Sequence, residues 1–160
     1  MNRITYRLGA ALAAVLFAGT ACADKKPRRV GFIAEPEVSY HAVPQIQRAR
    51  GFLPEAVDLS NRMPKPGDQG DFSSCTAWAV AYAARSYYAA GQTGVERLDA
   101  STALSPAYVY NRLNGGQCNQ PTSIMDALTL MRDEGVLPMR DFPYEPSNCT
   151  PLPSMEQKRA

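Results

Sequence analysis

The strongest constraint on the fold is the run from Cys75 to Ala90, which is alanine-rich, free of proline and glycine, and apolar on nearly every helical face. Ala77, Val80, Ala81, Ala84 and Tyr88 recur at helical spacing, and Trp78, Ala79, Ala83 and Tyr87 cover the flanks of that stripe. A segment of this kind predicts a helix buried at the centre of a domain. Arg85 and Ser86 interrupt the run, and alanine rather than leucine dominates it, which argues against a membrane span. Ser73 and Ser74 supply hydroxyls suited to capping its start, and Gly91 is the expected stop.

Two more helices are announced by their ends. Ser105 stands as N-cap before Pro106 at the first helical position, and Gly115-Gly116 closes that helix after Asn114. Ser123-x-x-Asp126 resembles a capping box, and Gly135 ends the segment that contains Leu128, Leu130 and Met131. Upstream, Leu53–Leu59 reads as extended, and Met63-Pro64-Lys65-Pro66-Gly67 as a stiff loop, because each proline biases its predecessor away from helix. From Val136 to Ala160 the chain is rich in proline and polar residues, with a strand over Val136–Arg140 as its one extended element. Residues 24–52, punctuated by Pro27, Pro36 and Pro44, show no sustained helical period and read as a short pro-segment or an N-terminal arm.

Arg3 and Arg7 precede an apolar stretch from Leu8 to Gly19 that is too short to span a bilayer, so residues 1–23 read as a secretory signal cleaved after Ala23. Lipid modification of Cys22 is the alternative, and the location is secreted or periplasmic. The 17 basic and 15 acidic side chains nearly balance, and the tight basic run of Lys25, Lys26, Arg28 and Arg29 lies directly behind the signal, which gives no footprint for nucleic acid. No ligand cluster at metal spacing and no cofactor motif is present. Cleavage leaves Cys75, Cys118 and Cys149. Export to an oxidising compartment allows two of them to pair while one stays free.

Cys75 stands where the central helix begins. A thiol attacks a carbonyl as thiolate, and the unsatisfied N–H groups of a helix start favour negative charge. Acyl transfer also needs donors for the developing oxyanion. A glutamine side-chain amide held in a turn before the cysteine supplies one, and the backbone N–H of the cysteine supplies another; Gln69-Gly70 is placed for this.

The run Gln69-Gly70-Asp71-Phe72-Ser73-Ser74-Cys75-Thr76-Ala77-Trp78-Ala79 is similar to the signature of papain-like cysteine peptidases, with the same spacing from glutamine to nucleophile. Further segments agree in order. Leu53–Asp58 resembles the mature start of such enzymes, and Leu104-Ser105-Pro106 their leucine-serine helix start. Glu134-Gly135-Val136 followed by Phe142-Pro143-Tyr144-Glu145 resembles their glycine turn and tyrosine segment. The resemblance, spanning about Leu53 to Cys149, implies an α+β papain-like fold. Residues 53–150 would form its mainly helical left domain, residues 151–160 a truncated tail, and the β-rich right domain would be missing. It also implies thiol-dependent hydrolysis of a polypeptide substrate, with Cys75 and Gln69 as catalytic residues and no cofactor.

Departures bear on the detail. Phe72 stands where many members carry a half-cystine, which implies that Cys118 pairs with Cys149 and leaves Cys75 free. Ser73 replaces the usual glycine, and Thr76 the tryptophan that follows the nucleophile. Asn119-Gln120-Pro121 stands where a substrate-binding glycine pair is usual. The family's histidine and asparagine lie far downstream of the cysteine, whereas no histidine follows Cys75 here; the single histidine, His41, lies upstream in the wrong chain order. The chain alone is therefore expected to be inactive. Two other functions compete: a secreted, non-catalytic binding module on the same domain, and a cell-wall amidase of another papain-like clan. The glutamine spacing and the tyrosine segment disfavour the latter.

Overall fold

The computed structural model describes residues 31–44, 51–52 and 54–159; the proposed signal segment 1–23 lies outside them. In chain order the elements are β1 (Phe32–Ile33), α1 (Glu37–Ala42), α2 (Cys75–Ala77), a π-helical segment (Trp78–Arg85), α3 (Ser86–Thr93), α4 (Pro106–Leu113), β2 (Thr122–Ser123) and α5 (Ile124–Glu134). Among the described residues helices thus dominate, with one two-stranded parallel sheet that pairs Phe32 with Thr122 and Ile33 with Ser123. No helix among the described residues is long and apolar enough to cross a membrane.

The helix that starts at Cys75 is continuous through α2, the π segment and α3, but it does not bury the stripe that its sequence marks out. Ala77, Val80 and Ala81 are buried as expected, whereas Ala84 is exposed and Tyr88 is 65% exposed. The buried positions after Ala81 are instead Tyr82, Ser86 and Ala90. A π turn closes from i to i+5, so the inward face advances by five residues where an α-helix would advance by three or four. Ser86 marks the step: its hydroxyl reaches back to the Ala81 carbonyl (3.5 Å) and accepts from the Leu104 amide (2.8 Å).

The helix also outlasts its expected stop. Gly91 continues in helical conformation, and the turn falls at Gly94, whose φ of 74° is left-handed. Glycine inside a helix costs about 1 kcal/mol against alanine but does not end it; the terminator is the residue that leaves the helical region.

The most enclosed element is α4 rather than the Cys75 helix: every residue from Pro106 to Asn111 is buried. Ser105 caps it as expected, accepting from the Tyr108 amide at 3.1 Å. A helix buried on all sides needs partners for its polar groups; the stretch that follows α5, residues 136–159 and called the tail from here on, provides two of them and the loop at Cys118 a third. Asn111 donates to the Pro151 carbonyl (3.0 Å), Asn114 to the Cys149 carbonyl (3.3 Å), and the Tyr110 hydroxyl to the Cys118 carbonyl (2.7 Å). Cys118 and Cys149 are joined by a disulfide, their Cα atoms 5.4 Å apart, so the tail is fastened across α4. Phe142 meets the Tyr108 ring edge-on at 5.8 Å.

The third predicted helix is α5. Ser123 accepts from the Asp126 amide at 3.0 Å, and Gly135 ends it with a φ of 76°. The strand expected over Val136–Arg140 is reduced to a single antiparallel bridge between Leu104 and Pro138. The bonds from the Met139 and Arg140 amides to the Ala103 and Ser101 carbonyls (both 2.8 Å) continue that contact, but Pro138 has no N–H to donate to a ladder. The arm, read as irregular, contains β1 and the short helix α1.

Candidate functional site

Cys75 is the first residue of α2, half-buried, and the free cysteine among the described residues. The two serines before it do not cap the helix by side chain. Ser74 occupies the N-cap position with no side-chain capping bond, because its hydroxyl is engaged elsewhere: Ser74 Oγ lies 2.7 Å from the Tyr144 hydroxyl. Tyr144 in turn donates to the Gln69 carbonyl at 2.7 Å. With the phenolic proton committed to Gln69, the Ser74 hydroxyl is the donor to Tyr144. One tyrosine from the tail thus ties the loop that bears Gln69 to the residue preceding Cys75.

The Gln69 side chain folds over the same turn, its Nε2 donating to the Phe72 carbonyl at 3.1 Å. Gly70 holds a φ of 62°, and a Cβ there would stand 3.1 Å from Pro146, so the turn closes against the tail. Gly67 is packed more tightly still: an added Cβ would lie 2.4 Å from the Trp78 ring. Trp78 lies between Tyr82, tilted to it at 4.7 Å, and Tyr144, edge-on at 5.0 Å, and these three rings line a cavity of about 260 Å³ beside the Lys65–Asp68 loop. Trp78 lies one turn beyond Cys75, where it braces the loop carrying Gln69.

The group that meets the thiol is the arm. The Gly31 amide donates to Cys75 Sγ at 3.1 Å. The Gly31 carbonyl accepts from the Thr76 hydroxyl (2.9 Å) and from the Thr122 amide (3.1 Å). Thr76, where the resemblance leads one to expect tryptophan, is therefore a buried hydroxyl that fixes the arm and also donates to the Thr122 carbonyl (3.1 Å). Sequence reasoning missed this, and little in the sequence marks it, since the partner lies 45 residues upstream.

Two tyrosines shape the electrostatics beneath the site. Burial, helped by the neighbouring Tyr144, pushes the Tyr110 hydroxyl up to about 12, against opposing hydrogen bonds from Asn114 and Ser73. Burial also raises Tyr144, against the bond from Ser74. Both phenols stay neutral donors at ordinary pH, which keeps the Cys118 and Gln69 carbonyls satisfied.

His41 sits on exposed α1 with Nε2 3.6 Å from Glu37 Oε1, one turn away on the same helix. No group of three His, Cys, Asp or Glu side chains among the described residues is arranged to hold a metal ion. No protein-family model, no curated protein and no solved structure matches the chain.

Proposed function

We propose that this chain is the nucleophile-bearing helical part of an exported papain-like cysteine peptidase. The observation that carries the reading is the division of the cysteines. Cys118 and Cys149 are bonded to each other, while Cys75 stays free at the first residue of the central helix, six positions after a glutamine held in a turn. In this reading the Cys75 thiolate adds to the carbonyl carbon of a peptide bond, and the backbone N–H of Cys75 with the Gln69 amide receives the oxyanion. The amine leaves after protonation, and water then hydrolyses the thioester. Acid and base are assigned to a histidine of a further, β-rich domain, because His41 lies on a solvent-exposed helix with Glu37 as its partner.

One observation favours a second reading, a non-catalytic binding module. The Gln69 amide is occupied by the Phe72 carbonyl and the thiol by Gly31, so both groups are satisfied within the chain. Catalysis requires both to be released.

The test uses the purified chain, a version extended through the downstream reading frame, and Cys75→Ala in each, assayed on a fluorogenic peptide library. The expected outcome is turnover by the extended form that vanishes with Cys75→Ala, and none by the chain alone. Without acid and base, residual catalysis is only about 10³ to 10⁴-fold over water. A correctly disulfide-bonded extended form that cleaves nothing would replace the peptidase reading with the binding module.

A further inference from the structure

We infer that the cavity beside Trp78 is a binding site for a quaternary ammonium group, such as the trimethylammonium end of choline. The site is separate from Cys75 and does not depend on the peptidase reading.

Three distant parts of the chain build it. The π-helical segment brings Trp78 and Tyr82, the tail brings Tyr144, and the loop before Gln69 brings Lys65 and Asp68. The Tyr82 and Tyr144 rings are inclined to Trp78 by 58° and 67°, so the three make a corner rather than a stack. At about 260 Å³ the space exceeds the roughly 150 Å³ that holds benzene and falls short of the roughly 300 Å³ at which pockets enclose a drug-sized ligand. It is sized for one head group.

The polar ends of the rings are already engaged. The Tyr82 hydroxyl donates to the Lys65 carbonyl at 2.7 Å, and the Tyr144 hydroxyl to the Gln69 carbonyl. The buried Trp78 N–H, without a full hydrogen bond, bears on the Tyr144 oxygen. What is left facing the cavity is mostly carbon. A guest with N–H or O–H groups of its own would lose bonds to water that this wall does not return. A quaternary ammonium has none to lose, and aromatic faces attract its charge.

The local charge has the matching sign. Burial raises the Tyr144 phenol, Ser74 and Trp78 oppose that rise, and the Asp68 carboxylate adds to it, so negative charge is felt at the cavity wall. Lys65 sets an opposite charge at the same mouth and leaves no such mark on Tyr144 or Tyr82.

The experiment reads the site directly, because Trp78 is the one tryptophan of the chain. Choline chloride is titrated against the purified chain while indole emission is followed, with sodium chloride at equal concentration as the control. Saturable quenching is expected with choline and not with the salt. Dimethylbutanol, the carbon isostere of choline, has the same shape without the charge and is expected to bind about tenfold more weakly. Asp68→Asn, which keeps an oxygen for the Gly70 amide, is expected to weaken choline binding about threefold or more. Ala100→Phe, at an exposed position on the cavity lining, is expected to plug the site and abolish it. Vesicles of phosphatidylcholine beside vesicles of phosphatidylglycerol separate two sources of the same group. Co-sedimentation with the former alone assigns a lipid headgroup, and quenching by choline without co-sedimentation a dissolved ligand. Equal binding of choline and dimethylbutanol overturns the inference, since the cavity would then be a plain apolar one. Absence of saturable quenching, or quenching that Ala100→Phe leaves unchanged, overturns it too. Cys75→Ala is expected to bind choline as the parent does, so this outcome and that of the peptidase assay are read apart.

Discussion

The tail that wraps α4 and the arm that lies over Cys75 both approach the central helices from distant parts of the chain, yet different forces hold them. The tail is held by burial and a covalent link: Cys149 is 1% and Phe142 7% exposed, and asparagine side chains of α4 and its C-cap donate to tail carbonyls. The arm leaves its two strand side chains nearly half exposed and relies on backbone bonds. Burial and a cross-link make a fixed part of the fold, whereas a few partly solvated hydrogen bonds make a segment that opens on its own at modest cost. Cys75 lies beneath the second kind of attachment.

The largest effect is expected where the tail is fastened. The disulfide closes a loop with a sequence separation of 31, for which the chain-entropy relation gives roughly 3–4 kcal/mol. Cys118→Ala with Cys149→Ala should lower the denaturation midpoint accordingly while leaving the Cys75 alkylation rate in native buffer close to that of the parent. A large rise in that rate would show that tail and arm are one cooperative unit, and the comparison would fail.

A smaller effect is expected at Tyr110, whose hydroxyl serves the Cys118 and Gln120 carbonyls from beneath the site. Tyr110→Phe leaves both without that donor and should cost about 1–3 kcal/mol. The same residue sets an alkaline limit. Because its folded value is raised from 10.0 to about 12, the folded state holds the phenolic proton more tightly than the unfolded chain does. That stability is fully present below pH 10 and is lost as pH rises toward 12. Denaturation midpoints measured across that window should fall for the parent and fall less steeply for Tyr110→Phe.

The smallest effect belongs to His41. His41→Ala removes an exposed pairing with Glu37 and should change neither the midpoint nor Cys75 alkylation measurably. A clear drop in alkylation would make His41 a partner of the thiol.

Much of the helical framework was legible because its signals are local. Ser105 and Pro106 open α4, Ser123 opens α5, and Gly135 closes it, each through hydrogen bonds or backbone angles within a few residues. The Cys118–Cys149 bond agrees with the expectation drawn from the family resemblance and export. What escaped is long-range or depends on a change of helical pitch. Ser74 has the right chemistry for a cap, yet Tyr144, 70 residues on, takes its hydroxyl. Thr76 looked like a departure from a pattern and is the anchor of the arm. Ala84 and Tyr88 match an α-helical stripe but face outward, since periodicity counted at 3.6 residues per turn cannot register a wider turn in the middle.

That wider turn also separates two demands on one rod. Ahead of it, the azimuth of Cys75 answers to the contact with Gly31; behind it, the azimuths of Ser86 and Ala90 answer to the core. A π segment is the form a helix takes when one extra residue is absorbed without breaking the rod. Removing one residue between Ala83 and Arg85 should therefore relax Trp78–Arg85 to ordinary pitch and leave both ends in phase with their surroundings. By the same geometry, a kindred chain lacking the wide turn would align with this one only across a one-residue gap inside its longest helix.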